Sequence, residues 1–130
     1  MVQYMLLCAA MIELREYVDG RGRVPFREWL RTLDRGIRAK LHTVLTRIAL
    51  GNLSNAKGVG GGVLEYKANF GPGYRIYFAS DGKRLVILLG GGTKRRQHFD
   101  IETAIDRWND YKKSKLSARR PDDENTDGGL

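Results

Sequence analysis

The feature that most constrains this chain is a set of three apolar segments placed almost back to back: VLEYKANF (63–70), YRIYFA (74–79) and RLVILL (84–89). Each is short and rich in β-branched or aromatic residues. Gly71-Pro72-Gly73 and Ser80-Asp81-Gly82-Lys83 separate them, and connections that brief suit hairpins, so the region predicts an antiparallel meander. A loop made only of Gly71, Pro72 and Gly73 sets Phe70 opposite Tyr74. Leu64, Tyr66, Ala68 and Phe70 then share a face with Tyr74, Ile76 and Phe78, while Glu65, Lys67, Asn69, Arg75 and Tyr77 occupy the other. Leu85, Ile87 and Leu89 are expected to join the apolar face.

Before residue 63 the period is helical. Pro25 is a first-turn signal, and Phe26, Trp29, Leu30 and Leu33 form one stripe. Ile37, Leu41, Val44, Leu45 and Ile48 form a second, which Gly51-Asn52 closes, so the two helices make an αα-hairpin. Met11 to Val18 alternates apolar and charged positions and reads as an opening strand. Gly58 to Val63 reads as a flexible connector. Asp100 is placed as the N-cap of a last helix with Ile101, Ala104, Ile105, Trp108 and Tyr111 on its apolar stripe. The expected fold is a single α+β domain, β-α-α-β-β-β-α, with a mainly antiparallel sheet and helices packed on one face. Lys67, Arg75 and Tyr77 would then lie on an open or half-open basic face.

With 130 residues, 42% of them hydrophobic, the chain suits one core, because two would each be marginal at half that length. The domain is expected over 11–115. Residues 1–10 read as an N-terminal extension whose apolar run, about ten residues, is too short to span a membrane and lacks a preceding positive charge, which favours a cytoplasmic protein. Residues 116–130, ending PDDENTDGGL, read as a disordered acidic tail. Residues 1–120 carry 23 basic against 11 acidic side chains, a net charge of +12, which favours a polyanionic partner such as nucleic acid. The single Cys8 excludes an intramolecular disulfide, and with only His42 and His98 beside it the sequence offers no metal-ligand spacing; no metal or cofactor is expected.

Two glycine tracts invite a nucleotide-binding reading and fail it. Gly58-Val59-Gly60-Gly61-Gly62 precedes a strand where a dinucleotide loop must follow one, and Gly90-Gly91-Gly92-Thr93-Lys94 lacks the Gly-Lys-Ser/Thr order of a phosphate loop. The second tract reads instead as a strand end that bends or admits a close neighbour. Lys94, Arg95, Arg96, Gln97 and His98 form the densest polar cluster. Its cations suit a phosphodiester backbone, and Gln97 and His98 suit a base or ribose. Arg75 and Lys67 are expected to converge on it, with Tyr77 beside them as a stacking platform. No Ser-His-Asp or Cys-His set is present. RNA transesterification remains, since the substrate's own 2′-hydroxyl is the nucleophile and the protein need only orient it, balance phosphate charge and move protons.

Gly51-Asn52-Leu53, Gly71-Pro72-Gly73-Tyr74-Arg75-x-Tyr77-Phe78, LVILLGGGTK (85–94) and Gln97-x-x-Asp100-Ile101 together resemble the HigB-like "addiction module killer protein" branch of the RelE/ParE toxin superfamily, over about residues 11–115. The resemblance implies a RelE-like domain encoded beside an antitoxin, often a helix-turn-helix protein. It implies ribosome-dependent mRNA cleavage, with ribosome and mRNA as further partners, and inhibition of translation. Carried onto this sequence, Arg75 would stabilise phosphate charge, Lys94 and Gln97 would belong to the active-site edge, and Lys67 falls at a position commonly basic in the branch. His98 would serve proton transfer, and Arg95, Arg96, Gln97 and Tyr77 would bind RNA. RelE itself carries more lysines on the strand of Lys67. The alternative from the same superfamily is a ParE-like, non-enzymatic inhibitor of DNA gyrase; a third is a decayed homologue that retains only antitoxin binding.

Overall fold

A computed structural model describes the backbone of residues 11–128 and the side chains of residues 11–118; the expected extension at 1–10 lies outside them. The elements are β1 (Glu13–Glu16), α1 (Pro25–Arg31), α2 (Arg35–Ala49), β2 (Ala56–Gly60), β3 (Val63–Lys67), β4 (Arg75–Ser80), β5 (Leu85–Gly92), a 3₁₀ turn (Lys94–Arg96) and α3 (Gln97–Gly128). The α+β class holds. Among the described residues no helix is long and apolar enough to cross a membrane.

The sheet has five strands in the order β1-β5-β4-β3-β2. Strands β2 to β5 form the antiparallel meander, and β1 pairs with β5 in parallel at one edge, while α1 and α2 carry the chain from β1 to β2 at the other edge. The expected αα-hairpin is present. Its second helix ends in a Schellman motif: Asn52 N–H donates to Arg47 O and Gly51 N–H to Ile48 O, both 2.9 Å, with Gly51 at φ 81°.

Several sequence expectations need correction. The first part of the expected connector at Gly58 to Val63 is instead the end of a strand, Ala56–Gly60, paired antiparallel with β3 across a turn at Gly60–Gly62. Asp100 is not an N-cap, because α3 already starts at Gln97 and puts Asp100 inside its first turn. The helices also pack on both faces of the sheet rather than one. Phe26 of α1 and Leu41, Val44 and Ile48 of α2 cover Tyr66, Ile76, Phe78, Val86 and Leu88. Ala104 and Trp108 of α3 cover Val63, Tyr77, Ala79, Ile87 and Leu89. Helix α3 itself takes in residues 116–128, the span read from sequence as tail.

Register explains which side chains changed sides. Lys67 pairs with Arg75 and Tyr66 with Ile76, and Ala68 N–H bonds Tyr74 O at 2.9 Å. Tyr74 is therefore opposite Ala68, two residues from the expected Phe70, and a slip of two keeps every side chain on its face. At the next turn Ser80 pairs with Val86 and Phe78 with Leu88. That puts Val86 and Leu88 on the expected apolar face and sends Leu85, Ile87 and Leu89 to the other side. A bulge in β5 opposite Tyr77 and Phe78 then brings Gly90, Gly91 and Gly92 beside Tyr77, Ile76 and Arg75.

Those glycines do admit close neighbours. A Cβ on Gly91 would collide with the Trp29 ring of α1, and one on Gly92 with the Asp100 carboxylate of α3. Any larger residue there would force the Trp29 ring or the Asp100 side chain to shift.

Candidate functional site

The pairing register carries three cations to one end of three adjacent strands. Lys67 ends β3, Arg75 opposite it begins β4, Gly92 opposite Arg75 ends β5, and Lys94 follows two residues later. With the Asn69–Gly73 segment, Lys67, Arg75 and Lys94 line an open cleft of about 380 Å³ whose lining contains no Asp or Glu. Gly73, at φ 81°, is what lets them meet: a Cβ there would sit 3.0 Å from Arg75 Nη1 and 3.6 Å from Lys94 Cβ. An L side chain at that position would be strained by the backbone as well.

The three cations are not equivalent. Lys67 and Lys94 are exposed and, among the described residues, make no ion pair. Arg75 is only 4% exposed. Its Nη1 donates to Gly73 O at 2.7 Å, and its Nε, buried without a hydrogen-bond partner, lies 3.5 Å from Glu65 Oε1. Arg75 is thus a fixed cation in the floor of the cleft, its charge already shared with a carboxylate.

Glu65 is the residue that sequence reasoning missed as a site component. It is 1% exposed, and Tyr77 Oη (3.0 Å) and Gln97 Nε2 (2.9 Å) both donate to its Oε2. Lys57 Nζ approaches its Oε1 at 3.8 Å. One buried carboxylate so ties β2, β3, β4 and the start of α3 together behind the cleft, and burying it requires this many partners. The sequence did place Glu65 on the same strand face as Lys67, Arg75 and Tyr77, without any sign that it would be buried.

Tyr77 corrects a further expectation. It is 1% exposed beneath α3, so it cannot serve as a stacking platform for a base. Burial first, and the Glu65 charge second, push its phenol well above the usual tyrosine range, which keeps it a hydrogen-bond donor at neutral pH. Gln97 likewise spends its amide on Glu65. Arg95, Arg96 and His98 are exposed on the 3₁₀ turn and the first turn of α3 and do not line the cleft; Arg96 instead lies over the exposed Phe99 ring, 4.6 Å from its centroid. The structure thus brings Lys67, Arg75 and Lys94 together, puts Gln97 behind them, leaves Arg95, Arg96 and His98 on a neighbouring surface and buries Tyr77.

Asp100, also on the α3 side of the sheet, has its carboxyl pushed above the usual range by burial, with Arg96 and Arg107 opposing. Arg107 donates to Leu89 O at 2.9 Å and so satisfies a carbonyl at the β5 bulge. Among the described residues no three His, Cys, Asp or Glu side chains gather as metal ligands would. The cleft presents positive charge and hydrogen-bond donors.

Residues 28–109, which include all three cleft cations, match the family described as Phage derived protein Gp49-like (DUF891). The chain is also 38% identical over 80 residues to an uncharacterized protein of Haemophilus influenzae, an alignment that covers 61% of this chain and 81% of that protein.

Proposed function

The chain belongs to the phage-derived Gp49-like family, a family of toxin-antitoxin toxins related to RelE and HigB, and from that premise we propose that it is a toxin that cleaves mRNA at the ribosome. The family implies a cognate antitoxin as partner. The observation that carries the nuclease reading is the cleft itself: three cations from adjacent strands, no carboxylate in the lining, and a glycine at the point of closest approach.

In this reading a phosphodiester enters the cleft with its non-bridging oxygens between Lys67 and Lys94, and the fixed Arg75 charge lies beneath them. The neighbouring 2′-hydroxyl attacks phosphorus in line, its proton passing to water in the open cleft. The bond to the 5′-oxygen breaks, a 2′,3′-cyclic phosphate forms, and a lysine ammonium protonates the leaving oxygen. The protein's contribution is charge stabilisation of the pentavalent transition state by groups held in place beforehand. Glu65 keeps Arg75 in its rotamer. His98, Arg95 and Arg96 flank the cleft and contact RNA outside the scissile step.

The two exposed lysines make the clean test, because replacing Arg75 would strip a buried carboxylate of its partner and confuse loss of function with loss of fold. Lys67→Ala and Lys94→Ala are each expected to abolish growth arrest on induction, and to remove the cleavages that primer extension detects in messages of cells expressing the unaltered chain. Circular dichroism and thermal midpoint should stay unchanged. Two lysine variants that remain fully toxic, or a DNA-damage response without message cleavage, would refute the nuclease assignment; the latter would point to gyrase.

A further inference from the structure

A second cleft, of about 250 Å³, lies between α2 and the end of β3. It shares Lys67, Ala68, Asn69 and Phe70 with the first cleft, so the two are continuous along that segment. Lys40 and Arg47 of α2 supply its far wall. They stand seven residues apart, on one side of the helix. Both are exposed, and among the described residues neither makes an ion pair. No Asp or Glu lines this cleft, while Asn55 and Asn69 contribute amides.

The aromatic wall is Phe70, partly exposed. Its ring is held by Tyr74, with centroids 5.3 Å apart, and Lys40 Nζ stands 5.0 Å from its centroid. Cations on a track, an aromatic ring between them and amides able to meet base edges are the components of a single-strand binding site. Phe70 also packs against the core, but the two cations are not explained by packing, since Lys40 and Arg47 are exposed while Leu41, Val44 and Ile48 of the same helix enter that core.

We propose that the α2–β3 cleft is a subsite for the nucleotide next to the scissile phosphate: its base lies on Phe70 and its phosphate between Lys40 and Arg47. The proposal rests on the RNA-cleavage reading of the first cleft and adds a direction to it, with the strand passing over the Asn69–Gly73 loop from one cleft into the other. RNA fits better than an acidic protein segment because one continuous polyanion meets five cations, Lys40, Arg47, Lys67, Arg75 and Lys94, across both clefts.

The test uses the full chain and a fluorescent, 2′-O-methylated single-stranded oligoribonucleotide, which lacks the nucleophile and so reports binding without cleavage. Anisotropy titrations at several salt concentrations should show Phe70→Leu weakening binding roughly five- to hundred-fold, the range for one lost base stack. Phe70→Trp, which keeps an aromatic face, should retain it. The Lys40→Ala/Arg47→Ala double variant should weaken binding and shallow the salt slope by about 0.7, one phosphate contact on a single strand.

Variants that bind like the unaltered chain overturn the subsite and leave the cleavage reading intact, since message cleavage and its loss in Lys67→Ala are measured separately. No saturable binding by the unaltered chain also overturns it. Unchanged RNA affinity combined with weakened binding of the purified antitoxin assigns the surface to protein instead.

Discussion

The two faces of the sheet are built on different principles. Beneath α1 and α2 the contacts are apolar throughout, from Phe26, Leu41, Val44 and Ile48 onto Ile76, Phe78, Val86 and Leu88. Beneath α3 the apolar patch of Val63, Ala79, Ile87 and Leu89 gives way, toward the cleft, to Glu65, Arg75, Tyr77, Gln97 and Asp100. Glu65 and Arg75 are the charged members of the buried set, and both are on this side. One face buries area; the other also orients charge. β4, third of five in the sheet, separates them, with Ile76 and Phe78 on the first side and Arg75 and Tyr77 on the second.

The largest expected effect belongs to the apolar face. Phe78, 0% exposed, has no polar partner to lose, so Phe78→Ala measures packing alone and should cost about 3–5 kcal/mol in urea denaturation. A loss under about 1 kcal/mol would mean that the α1–α2 layer collapses onto the gap, and that this face is less tightly packed than its burial implies.

On the other face the contrast predicts dependence between residues. Arg75→Ala should cost about 3 kcal/mol, because Glu65 is left buried with its main counter-charge gone. Adding Glu65→Gln should restore much of that loss by removing the charge in need of a partner. A double-mutant cycle with a coupling energy near zero would separate the two residues and deny Glu65 its place as the hub of the site.

How much of this was legible in the sequence depended on parity. β3 alternates cleanly, so the faces of Leu64, Tyr66, Glu65 and Lys67 survived a two-residue error in register. The YRIYFA and RLVILL segments do not alternate, and a continuous apolar run marks a strand buried on both sides. Reading them as one-sided placed Ile87 and Leu89 beneath the wrong helix and left Tyr77 facing solvent. β2 escaped notice because AKGVG has too few side chains to set a period. The cleft was the easier part: Lys67 and Arg75 already fell on one face of neighbouring strands, with Lys94 just after the last strand. Glu65 was harder, since a lone carboxylate in a strand carries no sign of burial until the opposite layer is placed.

Asp100 offers the smallest effect and a direct test of what α3 does to charge. Burial raises its carboxyl pKa above the ordinary value. A carboxyl with a higher pKa in the folded than in the unfolded chain favours folding when protonated. Its contribution is therefore full below the unfolded value and disappears as pH rises through the folded one. Above the folded value the group is ionised in both states, and the folded chain bears the desolvation cost with Arg96 and Arg107 offsetting part of it. Asp100→Asn, close to the same shape, should accordingly be somewhat more stable than the unaltered chain at pH 7, with the advantage closing as pH falls into the carboxylate range. Urea midpoints at pH 3 and pH 7 measure this directly. An Asn variant less stable at pH 7 than the unaltered chain would mean that the attraction to Arg96 and Arg107 outweighs burial, and that the polar face holds a balanced ion cluster around Asp100 rather than a strained charge.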